Sequence, residues 1–274
     1  MRVDNNITAI AIGSFDGIHK AHQSLISKAD AIVVIERNCG SITAGYRRGD
    51  FVDIPIYFYH FRTISNLNPS QFIDKLIEDF PNLKDIIVGY DFEFGYKKSG
   101  NISHLRDIFK GKVTVIEEIF YNNISLHSRV IRKSIKDGNI ELANGMLGRY
   151  YECKGKIIKG QGIGSKELVS TINIETNNYT LPKDGVYATE ILINNIWYKS
   201  ISFIGNRTST DNNFAIETHI IDTDIILNSY YATIKWLKFI RDNKKFDNLI
   251  ELKVQIEEDI RVVKTISHSF TLLL

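Results

Sequence analysis

The chain has 274 residues, 43% hydrophobic and 24% charged, a balance that excludes a disordered polymer and leaves room for two folded domains. Its 34 basic and 32 acidic residues leave a net charge of +2, so no bulk positive field points to nucleic acid or to an anionic membrane. The N-terminus MRVDNN is polar, no apolar run approaches the ~20 residues that cross a bilayer, and Cys39 and Cys153 form no C-x-x-C pair. The expected setting is therefore cytoplasmic, without a membrane partner and with both thiols reduced.

From Ile7 to about Met146, strand-like apolar runs alternate with helical periods: ITAIAIG, HQSLISKA, AIVVIE, PSQFIDKLIEDF, DIIVG, SHLRDIFKG, KVTVIEEI and SRVIRKSIKDG. That alternation predicts a parallel sheet covered by helices. Asn68 and Pro69 supply a cap and an N1 proline before the apolar stripe Phe72, Leu76, Ile77 and Phe80, and Gly138 and Gly145 punctuate the end of this half. After Gly148 the runs YYECKGKIIKG, STINIE, GVYATEILINNIWYKSISFIG, FAIETHII and YYATIKWLKFI are rich in β-branched and aromatic residues, which predicts an antiparallel sheet or small barrel. Asn194-Asn195 marks a hairpin with positive φ angles, and FDNLIELKVQIEEDI reads as a closing helix. The expected division is 1–147 and 148–274.

The stretch GSFDGIHKAHQSL puts Gly13, Gly17, His19 and His22 between the first strand and the first helix. Glycines there allow backbone N–H groups and a helix N-terminus to meet an anion, and histidines three apart lie on one side of a helical turn. On spacing alone the stretch is either a phosphate site or a tight turn with two surface histidines. A third ligand at zinc spacing is missing. GQGIGSKELVSTINI carries three glycines too, but strand-like sequence follows it where a dinucleotide turn needs a helix.

The first stretch resembles the G-x-F-D-G-x-H-x-G-H signature of nucleotidyltransferases, and specifically of the bacterial bifunctional riboflavin kinase/FMN adenylyltransferase family, with Ala21 in place of a glycine. VGYDFEFGYKKSGN resembles that family's V-G-x-D-F-x-F-G-x-x-x-x-G segment, and HSRVIRKSIKDGNIELANGMLGRYY its S-S-T-x-I-R stretch leading to L-G-R-x-Y, with Arg129 replacing threonine. The resemblance implies that Gly13, Ser14, Phe15, Asp16, Gly17, His19 and His22 hold ATP phosphates and that Asp91 positions nucleotide or flavin. It also implies that Ser128 and Arg132 complete the triphosphate site, arginine offering a planar fork to phosphate. The family's F-x-P-x-P segment is replaced by CGSITAGYRRGDFVDIPIYFYHF, where Arg47 and Arg48 read as a solvated loop in preference to phosphate contacts.

In the second half, GQGIGSKELVSTINI resembles the riboflavin kinase motif G-R-x-x-G-F-P-T-A-N. Thr171 and Asn173 match its magnesium–ATP ligands, while Ser165, Leu168 and Ser170 replace its arginine, glycine and proline. LPKDGVYA, FIGNRTSTDN and FAIETHIID resemble P-x-x-G-V-Y-A, N-I-G-x-R-P-T and (V/L)-E-x-H-(I/L)-x-D, which implies that Glu217 is the kinase base. On its own, Glu217 is an outward residue on a half-buried strand. The implied fold is a Rossmann-like α/β nucleotidyltransferase domain followed by a β-barrel riboflavin kinase domain with a C-terminal helix. The implied chemistry is riboflavin to FMN and FMN to FAD, with ATP and Mg2+. An adenylyltransferase with a weakened kinase half and a catalytically silent flavin-binding regulator remain the other readings.

Overall fold

The computed structural model describes residues 6–37, 41–158, 169–209, 212–223 and 225–266. The chain divides into two compact units, Met1–Ser128 and Arg129–Leu274. Ser165 and Leu168 lie outside the described residues, as does Cys39, while Cys153 is buried and reduced.

The first unit is built on five parallel strands: β1 (Ala9–Gly13), β2 (Ala31–Glu36), β3 (Ile56–His60), β4 (Asp85–Gly89) and β5 (Lys112–Ile116), in the order β3-β2-β1-β4-β5. Period-two alternation divides each central strand between two cores. Ile10, Ile12, Val33, Ile86 and Val88 face one cluster with Phe72, Ile73, Leu76 and Leu105, whereas Ala11, Ile32, Val34 and Ile87 face another with Phe15, Ile18 and Leu25. Burial on both faces is why these strands read as continuous apolar runs.

The helices of this unit are α1 (Lys20–Ile26), α2 (Phe61–Ile64), α3 (Pro69–Asp79) and α4 (Ile102–Ile108), with a 3-10 turn at Gly45–Phe51 and a hairpin of β6 (Phe120–Tyr121) and β7 (Ile124–Ser125). Helix α3 starts as the sequence predicts: Asn68 Oδ1 accepts from Gln71 N at 2.9 Å, Gln71 Oε1 accepts from Asn68 N at 2.9 Å, and Pro69 follows. The apolar stripe differs by one position, because Ile73 faces the sheet with Phe72 and Leu76 while Ile77 is 43% exposed.

Helices α5 (Ser128–Lys136) and α6 (Ile140–Leu147) lead into the second unit. Gly138, at φ 81°, ends α5, but Gly145 lies inside α6, and it is Gly148, at φ 73°, that caps the helix. A glycine inside a helix costs about 1 kcal/mol, and burial of Ile140, Ala143, Met146 and Leu147 around it outweighs that cost. Asn144 anchors α6, donating to the Trp236 carbonyl at 2.9 Å and accepting from Tyr151 N at 2.7 Å. Packing therefore places both helices with the second unit, upstream of the change in sequence character at 147–148.

Six antiparallel strands then close a barrel: β8 (Tyr151–Ile158), β9 (Ile172–Glu175), β10 (Gly185–Ile193), β11 (Ile196–Asn206), β12 (Phe214–Ile220) and β13 (Tyr231–Arg241), in the order β10-β11-β12-β9-β8-β13. Asn194 and Asn195 form the β10–β11 turn at φ 52° and 63°, as their amide side chains allow. Thr218, Ser202, Thr189 and Ser200, all fully buried, share a chain of hydroxyl hydrogen bonds at 2.7–2.8 Å. Helix α7 (Leu249–Thr265) covers the outside, its Val263 packed with Val186, Ala188 and Leu237, and its buried Asp259 held by two nitrogens of Arg241 at 2.7–3.0 Å.

Candidate active sites

In the five-stranded sheet the chain leaves β1 toward β2 on one side and returns to β4 on the other, so the carboxyl ends of β1 and β4 border the switch point where such sheets bind ligands. The two loops that open there are Gly13–Gly17 and the segment beginning Gly89-Tyr90-Asp91.

The first loop is strained. Phe15, Gly17 and Ile18 have φ of 47°, 97° and 43°, and only the glycine takes such values without cost. Each of the other two costs roughly 1–3 kcal/mol and persists only where surrounding structure over-determines it. Here the restraints are visible. Phe15 and Ile18 are fully buried in the second core. Asp16 Oδ1 accepts from the backbone N–H of Ile42 at 2.7 Å and of Thr43 at 3.1 Å. Ser128 Oγ donates to the Asp16 carbonyl at 2.7 Å, and Arg48 Nε donates to the Phe15 carbonyl at 3.3 Å.

Arg48 thereby corrects the solvated-loop expectation. It is 3% exposed, ion-paired to Glu36 at 2.8 Å and hydrogen-bonded to the Gly45 carbonyl at 2.9 Å, because the 3-10 turn folds it beneath the loop. Arg47 pairs with Asp50 at 2.8 Å. Asp16, Ser128 and Arg48 thus shape the loop through its backbone.

His19 caps α1, its Nδ1 accepting from His22 N at 3.4 Å, which leaves Nε2 as the donor nitrogen of the neutral ring. The rings of His19 and His22 stack with centroids 3.6 Å apart and 18° between planes, and Phe15 backs His22 at 5.1 Å. The two imidazoles stack into a single pair beside the loop. His19 is buried, not a surface histidine.

After β4, Asp91 folds back so that its Oδ1 would stand 3.4 Å from a Cβ at position 89, an ordinary contact distance. Residues that the motifs did not single out surround it. Tyr90 Oη donates to Glu118 Oε1 at 3.0 Å and lies 3.1 Å from His127 Nε2, Ser125 Oγ also donates to Glu118, and His127 Nδ1 is 3.8 Å from Asp91 Oδ2. The Ser125 and Tyr90 donors hold Glu118 below the usual carboxylate range, while desolvation and Glu118 raise the Tyr90 hydroxyl. Arg132 lies on α5, within the second unit.

In the barrel, antiparallel register places Glu217 of β12 directly opposite Asn173 of β9, with Thr171 just before β9. The Glu217 carboxylate accepts from Arg207 at 3.0 Å, and His219 Nδ1 lies 2.8 Å from the Ser170 carbonyl, fastening the end of the preceding loop to β12. Arg207 and His219 stand inside two of the matched segments but had no assigned role; only the ladder shows what they touch. Thr171, Asn173 and Glu217 are all oxygen donors, a set suited to a hard cation carrying phosphate.

The family model described as riboflavin kinase matches residues 147–267, and that described as FAD synthetase matches residues 49–130. A bifunctional riboflavin kinase/FMN adenylyltransferase from Buchnera aphidicola subsp. Acyrthosiphon pisum is 32% identical over 95% of this chain and 93% of its own. The protein of the same name from Bacillus subtilis is 27% identical over 92% and 90%. A crystal structure from Streptococcus pneumoniae, titled a macrolide-efflux protein, superposes with a TM-score of 0.85 at 25% identity, over 97% of this chain and 99% of that one. Among the described residues of this chain, no helix is long and apolar enough to cross a membrane.

Proposed function

The chain belongs to the bifunctional riboflavin kinase/FMN adenylyltransferase family, and from that premise we propose that it makes FAD from riboflavin in two ATP-dependent steps, one in each half. The observation that carries this reading is the presence of two separate constellations, the strained histidine loop at a sheet switch point and the Asn173–Glu217 pair on a barrel ladder. Adenylyl transfer is assigned to 1–147 and phosphorylation to 148–274. The substrates are small molecules in both steps, and the proposed setting is cytoplasmic.

In the kinase step Glu217 accepts the proton of the terminal ribityl hydroxyl as its oxygen bonds to the γ-phosphorus of ATP and ADP leaves. Arg207 fixes the orientation of that carboxylate. Thr171 and Asn173 would hold the magnesium that accompanies ATP. When bound, the ion offsets phosphate charge.

In the adenylyl step a phosphate oxygen of FMN attacks the α-phosphorus of ATP, the α–β anhydride bond breaks and pyrophosphate departs. His19 and His22 donate to phosphate oxygens as charge shifts along the chain, and Gly13, Ser14 and Gly17 give backbone access. The motif resemblance adds Ser128 and Arg132 to the triphosphate and Asp91 to nucleotide or flavin. Positioning and charge stabilisation suffice without a covalent enzyme nucleophile.

Chromatographic separation of flavins after incubation of the full chain with riboflavin and magnesium–ATP tests the reading. FMN should appear first and FAD later, with ADP and pyrophosphate as co-products; riboflavin left unchanged would overturn it.

A further inference from the structure

We propose that His127 is a positioning residue of the adenylyl-transfer site, holding the Asp91 carboxylate in place for a phosphate-bearing substrate when its Nδ1 carries a proton. The proposal rests on the adenylyl-transfer reading and goes beyond it, because His127 stands where the S-S-T-x-I-R stretch has its first serine.

The hydrogen-bond geometry fixes which nitrogen does what. Tyr90 has one hydroxyl proton and gives it to Glu118 Oε1 at 3.0 Å, so toward His127, 3.1 Å away, its oxygen can only accept. Nε2 of His127 must therefore bear hydrogen. Nδ1 is left as the nitrogen that faces Asp91, 3.8 Å from its Oδ2. Protonated, it forms an ion pair with Asp91; deprotonated, it turns a lone pair toward a carboxylate. Among the described residues, the charged or titratable groups that face the ring are Tyr90 and Asp91 from the loop after β4 and Glu118 from the segment after β5.

The Asp91 side chain is 60% exposed, so this contact is well placed to restrict it. ATP and FMN are both anionic, and a bare carboxylate in their site repels them; the imidazolium both orients Asp91 and cancels its charge. Serine at this position carries no titratable proton.

Steady-state FAD formation by the full chain, varying magnesium–ATP and FMN separately at about pH 6 and pH 8, on either side of the ordinary histidine range, tests the assignment. Wild type is compared with His127→Ser and His127→Asn. The KM of one substrate should rise between the two pH values about two- to fivefold more in wild type than in either variant, as for a partly exposed ion pair, while kcat changes in parallel in all three. Titration of the substrate phosphates is common to all and cancels. The substrate whose KM responds is the one that lies on Asp91. Equal pH dependence of both KM values in wild type and a folded variant overturns the proposal, as does a difference confined to kcat. Riboflavin phosphorylation by the same preparations reports that the chain is folded. Wild type that makes no FAD at either pH overturns the adenylyl-transfer reading itself, a result distinct from FAD formation without the His127 effect.

Discussion

The two halves position their chemistry by opposite means. In the open sheet the proposed ligand groups sit in loops beyond the strands, and the loop after β1 keeps its shape because Asp16, Ser128 and Arg48 restrain a backbone that Phe15 and Ile18 would otherwise abandon. In the barrel the proposed base and a proposed metal ligand stand opposite each other on paired strands, so the same ladder that closes the fold sets their separation. A loop site therefore depends on side chains that restrain its backbone from a distance in sequence, whereas a ladder site depends mostly on the register of its own strands.

That contrast predicts a sharp effect in the barrel. Glu217→Gln preserves volume and a partner for Arg207 but cannot accept the hydroxyl proton, so riboflavin phosphorylation should fall about 10²–10⁴-fold while FAD formation from supplied FMN continues. An unaffected kinase rate in steady-state assays rejects the base assignment. On the loop side, His22→Ala removes one of two stacked donors and should lower FAD formation about 10²–10³-fold with FMN formation spared. Equal losses in both assays would point to misfolding instead.

The smallest expected effect on chemistry, and the clearest on stability, comes from Arg48→Met. It leaves Glu36, whose side chain is 13% exposed, without its guanidinium, a change that typically costs about 3–5 kcal/mol, and it frees the Phe15 carbonyl. Denaturant titration should show the first unit losing stability ahead of the barrel. FAD formation should then fail at denaturant concentrations where FMN formation persists. A variant as stable as wild type would show that the loop does not depend on the buried pair.

What the sequence discloses follows the range of the interaction. The Asn68 cap and the Asn194-Asn195 turn are satisfied within a few residues, and both are legible from local chemistry. The alternating first half and β-rich second half likewise expose their architectures, because burial on both faces of a parallel sheet and on one face of a barrel leaves different periods. Gly145 and Ile77 mislead for a related reason: tertiary burial carries α6 through a glycine, and the sheet selects Ile73 over its neighbour.

The sequence proposes a set of site residues but not their arrangement. No local signal joins Asp16 to Ile42, Arg48 to Phe15, or His127 to Tyr90, since each pair is brought together by strands that are distant in sequence. His127 was hidden by standing inside a matched motif at a position where it departs from it. Arg207 and His219 were likewise quoted within motifs, but their contacts with Glu217 and the Ser170 carbonyl need the barrel register to appear.

The central claim is that one chain holds two separately addressable sites, and mixing two variants tests it most directly. Full-length Glu217→Gln and His22→Ala are each incubated with riboflavin and magnesium–ATP, alone and together, and the flavins are separated. The account predicts unchanged riboflavin with the first, FMN alone with the second, and FAD from the mixture as FMN released by one chain reaches the intact loop of the other. A mixture that makes no FAD, or a folded single variant that has lost both activities, would contradict it.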